Sequence, residues 1–421
     1  MSFFQGILLV VYIVLLVLIT HKLAFFKTKL ISNKTLTVIA LLKIASGVAY
    51  IYISKHFIEG GDIFNYYNDA EIVFDQFFVS PINYFKLVFL PNNVSIPTEL
   101  ATPIQLMGFW GDTGAYMLVR FNALIRVISF GNIYIHGLFA AYFSFIGCFL
   151  IAKVFEQNLK IKSLTFLSVF LMPSLLFWTS GIHKEFISVF ALGLILYHFF
   201  KLTKSINQTI NILGFISGLA LFFFTRNYML LALIPSIISY FIYKGFHIKY
   251  KKAVFFSILL LITFLNYAKI PDYNKTGFEV IIEKRQQFED LKQGNTSINL
   301  EDIEPNLISL LKNSPKALFN TLIRPHFLEA NTIFLKFAMV ENLIIALLII
   351  LTFLNFHKLS LKESNFIIFM FLYSLFLLLI IGWIVPNIGA ILRYRSIALV
   401  ILIPSLVFVI EKIKIQKSNT T

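Results

Sequence analysis

Apolar runs of about 20 residues recur along the chain, separated by polar connections, the pattern of helices that cross a bilayer. They predict spans over residues 3–20, 35–54, 133–152, 163–178, 185–200, 210–225, 228–243, 253–268, 340–356, 364–384 and 396–410. The fold class expected is all-α: one polytopic membrane domain over residues 1–421 with about eleven transmembrane helices. Several runs are only about 16 residues, or ~24 Å of helix, so their connecting turns should sit below the headgroup level. The opening residues carry no basic group and no small-residue cleavage pattern follows, so the first run is expected to be a span and not a removable signal.

Two connections are long, 55–132 and 269–339. In the first, Phe74, Phe77 and Phe78, and then Leu118, Phe121, Leu124, Ile125 and Ile128, fall at helical spacing. They predict amphipathic helices over 71–90 and 113–130 lying on the bilayer. The second holds a polar helical run, 279–293, and a segment 305–318 opened by Pro305.

Composition agrees: 58% of residues are apolar, 14% are charged, and the mean hydropathy is +0.81. Lys and Arg outnumber Asp and Glu by 36 to 21, a net charge of +15 that in a soluble chain would suggest a nucleic-acid partner. The location of the charges excludes nucleic acid. Every second connection is lysine-rich: 21–34, 153–162, 201–209, 244–252, 357–363 and the tail together carry 18 lysines against Glu156, Glu363 and Glu411. Short basic connections stay cytoplasmic, which puts the N-terminus outside and the C-terminus inside. The single cysteine, Cys148, excludes a disulfide framework and a cysteine-based metal cluster.

All seven arginines, Arg120, Arg126, Arg226, Arg285, Arg324, Arg393 and Arg395, fall on the opposite, outer side. Arginine offers a planar, permanently charged fork for phosphate or carboxylate, so anion recognition is one reading; structural ion pairs are the other.

Three segments concentrate chemistry. Glu59-Gly-Gly-Asp62 predicts a tight turn into a helix that carries Asp62, Asn65, Tyr66 and Asp69 on one face, two carboxylates towards the membrane surface. Alternatively, Asp62 is an N-cap and Asp69 a solvated charge. At the tip between two spans, Ser180, His183, Lys184 and Glu185 crowd the headgroup level, where an unpaired charge is costly. Contiguous residues seldom make a hydrolase triad, and no Gly-x-Ser-x-Gly elbow is present. Further tips hold Arg226, Arg324 with His326, Glu341-Asn342, and Arg393-Tyr-Arg395, where Asn387 and Gly389 should loosen the turn. The tips are expected to converge on one outer vestibule. Asp62, Asp69, His183 and His326 have no diagnostic ligand spacing, so Mg²⁺ or Mn²⁺ stays open. Lys43, mid-span, needs a partner or water, and Gly214 with Gly218 marks close helix packing.

Carboxylates, arginines and aromatics together suit transfer of a sugar from a phosphate leaving group. Gly60-Gly-Asp62-x-x-x-Tyr66-x-x-x-Ala70 resembles the acidic first-loop motif of GT-C-type, lipid-sugar-dependent glycosyltransferases. Phe177-Trp-Thr-Ser-Gly-Ile-His-Lys-Glu185 and Asn387-x-Gly-x-x-x-Arg393-Tyr-Arg395 look like segments of bacterial exopolysaccharide and O-antigen polymerase-like membrane proteins. The resemblance implies a polyprenyl-phosphate-linked sugar donor, a glycan acceptor, reaction at the outer face of the bacterial inner membrane, and Asp62 as base. It departs in its first span, which starts outside where many GT-C enzymes begin inside.

The site expected is therefore Asp62, Asp69 and Glu185 as catalytic carboxylates, with Tyr66, His183, Lys184, Arg226, Arg324, Arg393 and Arg395 binding substrate. Lys184 and Glu185 belong to a supporting layer. A lipid-linked oligosaccharide flippase is the main alternative, and a non-catalytic envelope-assembly subunit a third.

Overall fold

The computed structural model describes residues 2–57, 61–92, 98–246, 269–270, 275–290, 296–356 and 359–418. Among them the chain opens with α1 (Phe3–Lys22), α2 (Asn33–Phe57), α3 (Asp62–Val79), α4 (Pro81–Phe89), α5 (Ala101–Leu106) and α6 (Thr113–Ser129). It continues with α7 (Ile133–Asn158), α8 (Ser163–Leu171), α9 (Pro173–Trp178), α10 (Lys184–Leu202), α11 (Gln208–Arg226) and α12 (Tyr228–Phe246). A two-residue antiparallel ladder joins β1 (Lys269–Ile270) to β2 (Lys275–Thr276). Last come α13 (Gly277–Glu289), α14 (Leu307–Leu322), α15 (Ile333–Phe353), α16 (Leu361–Ile384) and α17 (Ile388–Ser418).

Local side chains set many of the helix starts by satisfying N–H groups that the first turn leaves open. Ser2 with Gln5, Thr276 with Glu279 and Ser360 with Glu363 form reciprocal capping boxes. Asp112, Asn306 and Thr332 cap α6, α14 and α15 alone.

Among the described residues, eight helices are long and apolar enough to cross a membrane: α1, α2, α7, α10, α11, α15, α16 and the Ile388–Lys412 part of α17. They match eight of the predicted runs, and the chain is an all-helical membrane protein. The other three runs differ. Run 163–178 divides into the nine residues of α8 and the six of α9, because Pro173 has no N–H for the ladder and its ring clashes with the preceding turn. Run 228–243 lies in α12, whose apolar stretch Tyr228–Lys244 is shorter and contains Pro235. Run 253–268 lies outside the described residues.

The predicted helical segment 71–90 is the end of α3 plus α4, which meet at Ser80 and Pro81, and 113–130 is α6. Their apolar residues do not all face inward. Leu118 and Ile125 are buried, whereas Phe78, Val79, Ile82 and Phe89 are more than 60% exposed. The run 279–293 corresponds to α13, and 305–318 to α14, which the Asn306 side chain starts by accepting from the Ser309 N–H at 2.8 Å.

Contacts divide the chain into two compact units, Met1–Lys153 with Leu176–Asn227, and Val154–Leu175 with Tyr228–Thr421. In the first, one apolar core joins Tyr50 and Ile51 of α2, Ile63, Tyr66, Ala70 and Val73 of α3, Tyr116 of α6, and Phe186 of α10. There α11 packs on α10 with Gly214 against His198 and Gly218 against Ala191 and Ile195, the close approach its glycine spacing predicts. In the second unit α16 and α17 form the centre, and α8 lies on α17, where Thr165 donates to Glu411 at 2.6 Å.

Candidate functional site

In the first unit, α3 begins where Gly61 takes φ 129°, backbone that glycine adopts without strain. Gly61 is the N-cap and offers no side chain, so Asp62 occupies the first turn, exposed at the positive end of the helix dipole. Asp62 is thus not the N-cap.

The predicted polar face of α3 splits. Asp62 and Asn65 are exposed, whereas Tyr66 and Asp69 lie on the buried face with Ile63, Ala70 and Val73. The Asp69 carboxylate accepts the backbone N–H of Gly108 at 3.2 Å and of Phe109 at 2.9 Å. The Tyr66 ring lies 4.6 Å from that of Phe109. Asp69 therefore clamps the Gly108–Phe109 turn onto α3. It is neither a solvated charge nor a second carboxylate facing the membrane surface, and Tyr66 packs inward beside it.

At the turn from α9 into α10, consecutive residues face different partners. Ser180 donates to the Leu176 carbonyl at 2.5 Å, and His183 Nε2 lies 2.7 Å from the Tyr50 hydroxyl, their rings nearly perpendicular. Lys184 Nζ lies 3.3 and 3.5 Å from the two Asp112 oxygens. Glu185, fully buried, pairs with Arg226 at the end of α11. A side chain at Gly114 would run into the Thr225 carbonyl at 2.7 Å and Lys184 Nζ at 2.9 Å, so the start of α6 rests against the ends of both α10 and α11. Ser180, His183 and Glu185 are engaged with three different partners, an arrangement unlike a triad relay.

Asp112 accepts the Ala115 N–H at 3.0 Å as the cap of α6 while it faces Lys184. Partial burial, the largest single influence, works to raise its pKa. The Lys184 ammonium and the Ala115 and Gly114 N–H groups outweigh it and hold the carboxyl below its ordinary value. Deeper along α2, buried Lys43 donates to the Thr179 hydroxyl at 2.5 Å, and Ser144 donates to the same oxygen at 3.1 Å. The mid-span cation has the partner its cost demands.

The second unit uses its arginines internally. Arg395, fully buried, donates to the Thr321 carbonyl at 2.8 Å and the Asn342 side chain at 2.6 Å. Asn342 in turn donates to the carbonyls of Ile323 at 2.9 Å and Pro325 at 3.2 Å. Arg324 pairs with Glu329, which also accepts the His326 N–H at 3.2 Å. Burial works to raise the Glu329 pKa, and Arg324 and His326 together more than reverse it. Glu341 accepts the N–H of Ser174 at 2.9 Å and its hydroxyl at 2.5 Å. Arg393 lies over the Tyr394 ring at 4.9 Å. Asn387, expected to loosen its turn, caps α17 instead through the Ala390 N–H at 3.0 Å and accepts from the Thr296 hydroxyl at 3.0 Å.

The two readings of the arginines can now be weighed. Arg126, Arg226, Arg285 and Arg324 pair with Glu71, Glu185, Glu289 and Glu329. Arg120 donates to the Leu90 carbonyl at 2.5 Å. Internal pairing accounts for most of them, and Arg324 and Arg395, expected as phosphate clamps, hold turns and helices of the second unit together.

Sequence reasoning passed over Tyr50, Glu71 and Asp112. Asp112-Thr113 ahead of an apolar periodic run is an N-cap signature that could have placed Asp112; Tyr50 carries no comparable signal. Among the described residues no three His, Cys, Asp or Glu side chains gather around a metal-sized space. Asp69 and His183 face protein partners, so the residues proposed for Mg²⁺ or Mn²⁺ do not fit such a site. Compared with protein-family models, curated proteins and solved structures, the chain matches none.

Proposed function

We propose that the protein is a membrane glycosyltransferase or glycan polymerase using polyprenyl-phosphate-linked sugars in cell-envelope polysaccharide synthesis. It acts at the outer face of the bacterial inner membrane, with its N-terminus outside and its C-terminus cytoplasmic. One observation carries the reading: an exposed carboxylate, Asp62, opens α3 and a cationic tip, Lys184, opens α10, two helices that share one aromatic-rich core containing Tyr50, Tyr66 and Phe186.

Asp62 accepts the proton of the acceptor hydroxyl as its oxygen attacks the anomeric carbon. The bond from that carbon to the phosphate oxygen breaks, and the electron pair leaves on the lipid phosphate. Lys184 neutralises the departing charge. Asp112 orients the ammonium, and the Glu185–Arg226 pair fixes the helix ends that carry it. Glu185 is then a positioning residue and not one in contact with substrate.

The test is sugar transfer from a polyprenyl-phosphate donor by purified protein, native against Asp62→Asn. Loss of transfer by about 10²-fold or more with an unchanged melting profile supports the role of the base. Native protein without transfer ends the reading.

The flippase alternative draws on two features, the helix break at Pro173 and the polar contact of mid-span Lys43 with Thr179 in the turn between α9 and α10. It expects lipid-linked glycan to cross vesicle membranes at the same rate with the native protein and with the Asp62→Asn variant.

A further inference from the structure

The side chains of α14, in the second unit, are arranged the reverse of a helix that faces water. Its buried positions are Leu310, Asn313, Ala317, Asn320 and Thr321, mostly polar. On the exposed side Leu311, Pro315 and Phe319, with Ile323 just past the helix end, recur at every fourth residue, and Ile308 lies among them. Lys312 is the charged residue of that side. A helix against water buries its apolar stripe and exposes its polar one. The inverted pattern of α14 calls for apolar surroundings.

Neighbouring helices measure where those surroundings are. As consecutive spans joined through 385–387, α15, α16 and α17 have Ile333, Ile384 and Ile388 at the same side of the bilayer. The 21 residues of α15 make ~31 Å of helix, about the thickness of the hydrocarbon core, so Ile333 marks one edge of it. A side chain at Gly382 would collide with the Ala317 backbone, which sets Ala317 ~3 Å inside the end of α16. The Thr321 carbonyl accepts from Arg395, ~10 Å along α17, and the Ile323 and Pro325 carbonyls accept from Asn342, ~13 Å along α15. The step from Ala317 to Ile323 is itself ~9 Å of helix, so the three rulers agree to within the reach of the side chains. The chain descends along α14 and turns beside Asn342.

Backbone outside a helix can lie at membrane depth only where protein groups satisfy it, and Arg395 and Asn342 supply those donors. Charge along the segment is matched as well, Lys316 with Glu301 and Arg324 with Glu329. On the way back Phe327 and Leu328 are exposed, and a few residues later Ile333, Phe334 and Phe337 are exposed at the start of spanning α15. The outward apolar surface of the turn thus runs on, along the chain, into that of a spanning helix.

We infer that residues 315–328 form a re-entrant hairpin that dips into one leaflet, its Phe319, Ile323, Phe327 and Leu328 side chains against lipid acyl chains and its turn held at depth by Arg395 and Asn342. The hairpin stands whether or not the protein transfers sugar.

The test is spin labelling of the full-length chain in nanodiscs, with Cys148 replaced by serine and single cysteines placed as Phe319→Cys, Ile323→Cys, Phe327→Cys and, ahead of α14, Glu304→Cys. Accessibility to oxygen relative to a water-soluble nickel chelate is expected to be at least about tenfold higher at 323 and 327 than at 304, because hydrocarbon excludes the chelate. Equal ratios at all four positions overturn the hairpin. Labels at 323 and 327 that neither reagent reaches and that broaden one another between chains overturn it in favour of contact with a second copy. The unaltered chain gives a separate reading: phosphatidylcholine with a photoreactive group on its acyl chain should label Phe319–Leu328 and spare Glu301–Asn306, and the opposite map contradicts the proposal. Asn342→Leu removes the donor to two carbonyls and should raise chelate access at 327 about tenfold; unchanged access would remove Asn342 from the role of holding the turn.

Discussion

Two buried arginines, Arg226 in the first unit and Arg395 in the second, are answered differently. In the first, Arg226 meets a carboxylate, Glu185, and the pair sits where α10 begins and α11 ends, next in sequence to the half-exposed Lys184–Asp112 contact. In the second, Arg395 meets a carbonyl and an amide, seven residues into α17, surrounded by protein. The first arrangement puts charge at helix ends, where one more residue of chain reaches solvent. The second uses a cation to join α14, α15 and α17 and presents nothing outward. Arginine on its own therefore marks neither anion recognition nor structure; the partner and the position along the helix decide.

The largest effect expected is from Glu185→Ala. It leaves Arg226 buried without its carboxylate and should destabilise by about 3–5 kcal/mol, seen as a large fall in detergent melting temperature. Replacing both residues by leucine should recover much of that loss. A double variant as unstable as the single one would mean that the pair does more than balance charge. Next, Arg395→Met strands the Asn342 and Thr321 acceptors and should cost about 2–3 kcal/mol, read as a smaller fall in melting temperature; an unchanged melting temperature would mean that Arg395 does not join α14, α15 and α17.

Asp112→Asn should cost about 1 kcal/mol or less, since asparagine still caps, and on the transferase reading should lower kcat, because the ammonium it orients acts as the phosphate departs. A rise in KM alone would separate Asp112 from that step. The smallest effect is that of pH. The Asp112 carboxyl is held below its ordinary value of 3.8, so its contribution is fully present above that value and is lost only as pH falls through the lower folded one. Melting temperature attributable to Asp112, read as native minus Asp112→Asn, should stay flat from about pH 5 to 8. A slope in that window contradicts the Lys184 contact.

Much of the fold was legible because membrane crossing is written in contiguous residues, as in α1, α7 and α16. The run 163–178 hid a division, because Pro173 within it separates α8 from α9. Asp62 at a helix start was legible too, from two glycines before it. Asp69 was not, because the N–H groups that claim it belong to Gly108 and Phe109, on a different turn. The same holds for Arg126 with Glu71 and Arg226 with Glu185, pairs separated by 55 and 41 residues. Spacing places such residues on a helix face, but the partner that turns the face inward is set by tertiary packing. Hydropathy has a parallel limit: α1 and α16 are equally apolar, yet 11% of the first and 83% of the second is buried in the protein.

Lys184 and Glu185 are adjacent in the chain but answer to separate demands. In a library of variants selected only for folded protein in the membrane, position 185 should change in concert with 226 or remain fixed, while position 184 drifts. On the transferase reading, selection for product should freeze 184 as well. The difference between the two libraries at this one dipeptide would separate what the chain needs to exist from what it needs to work.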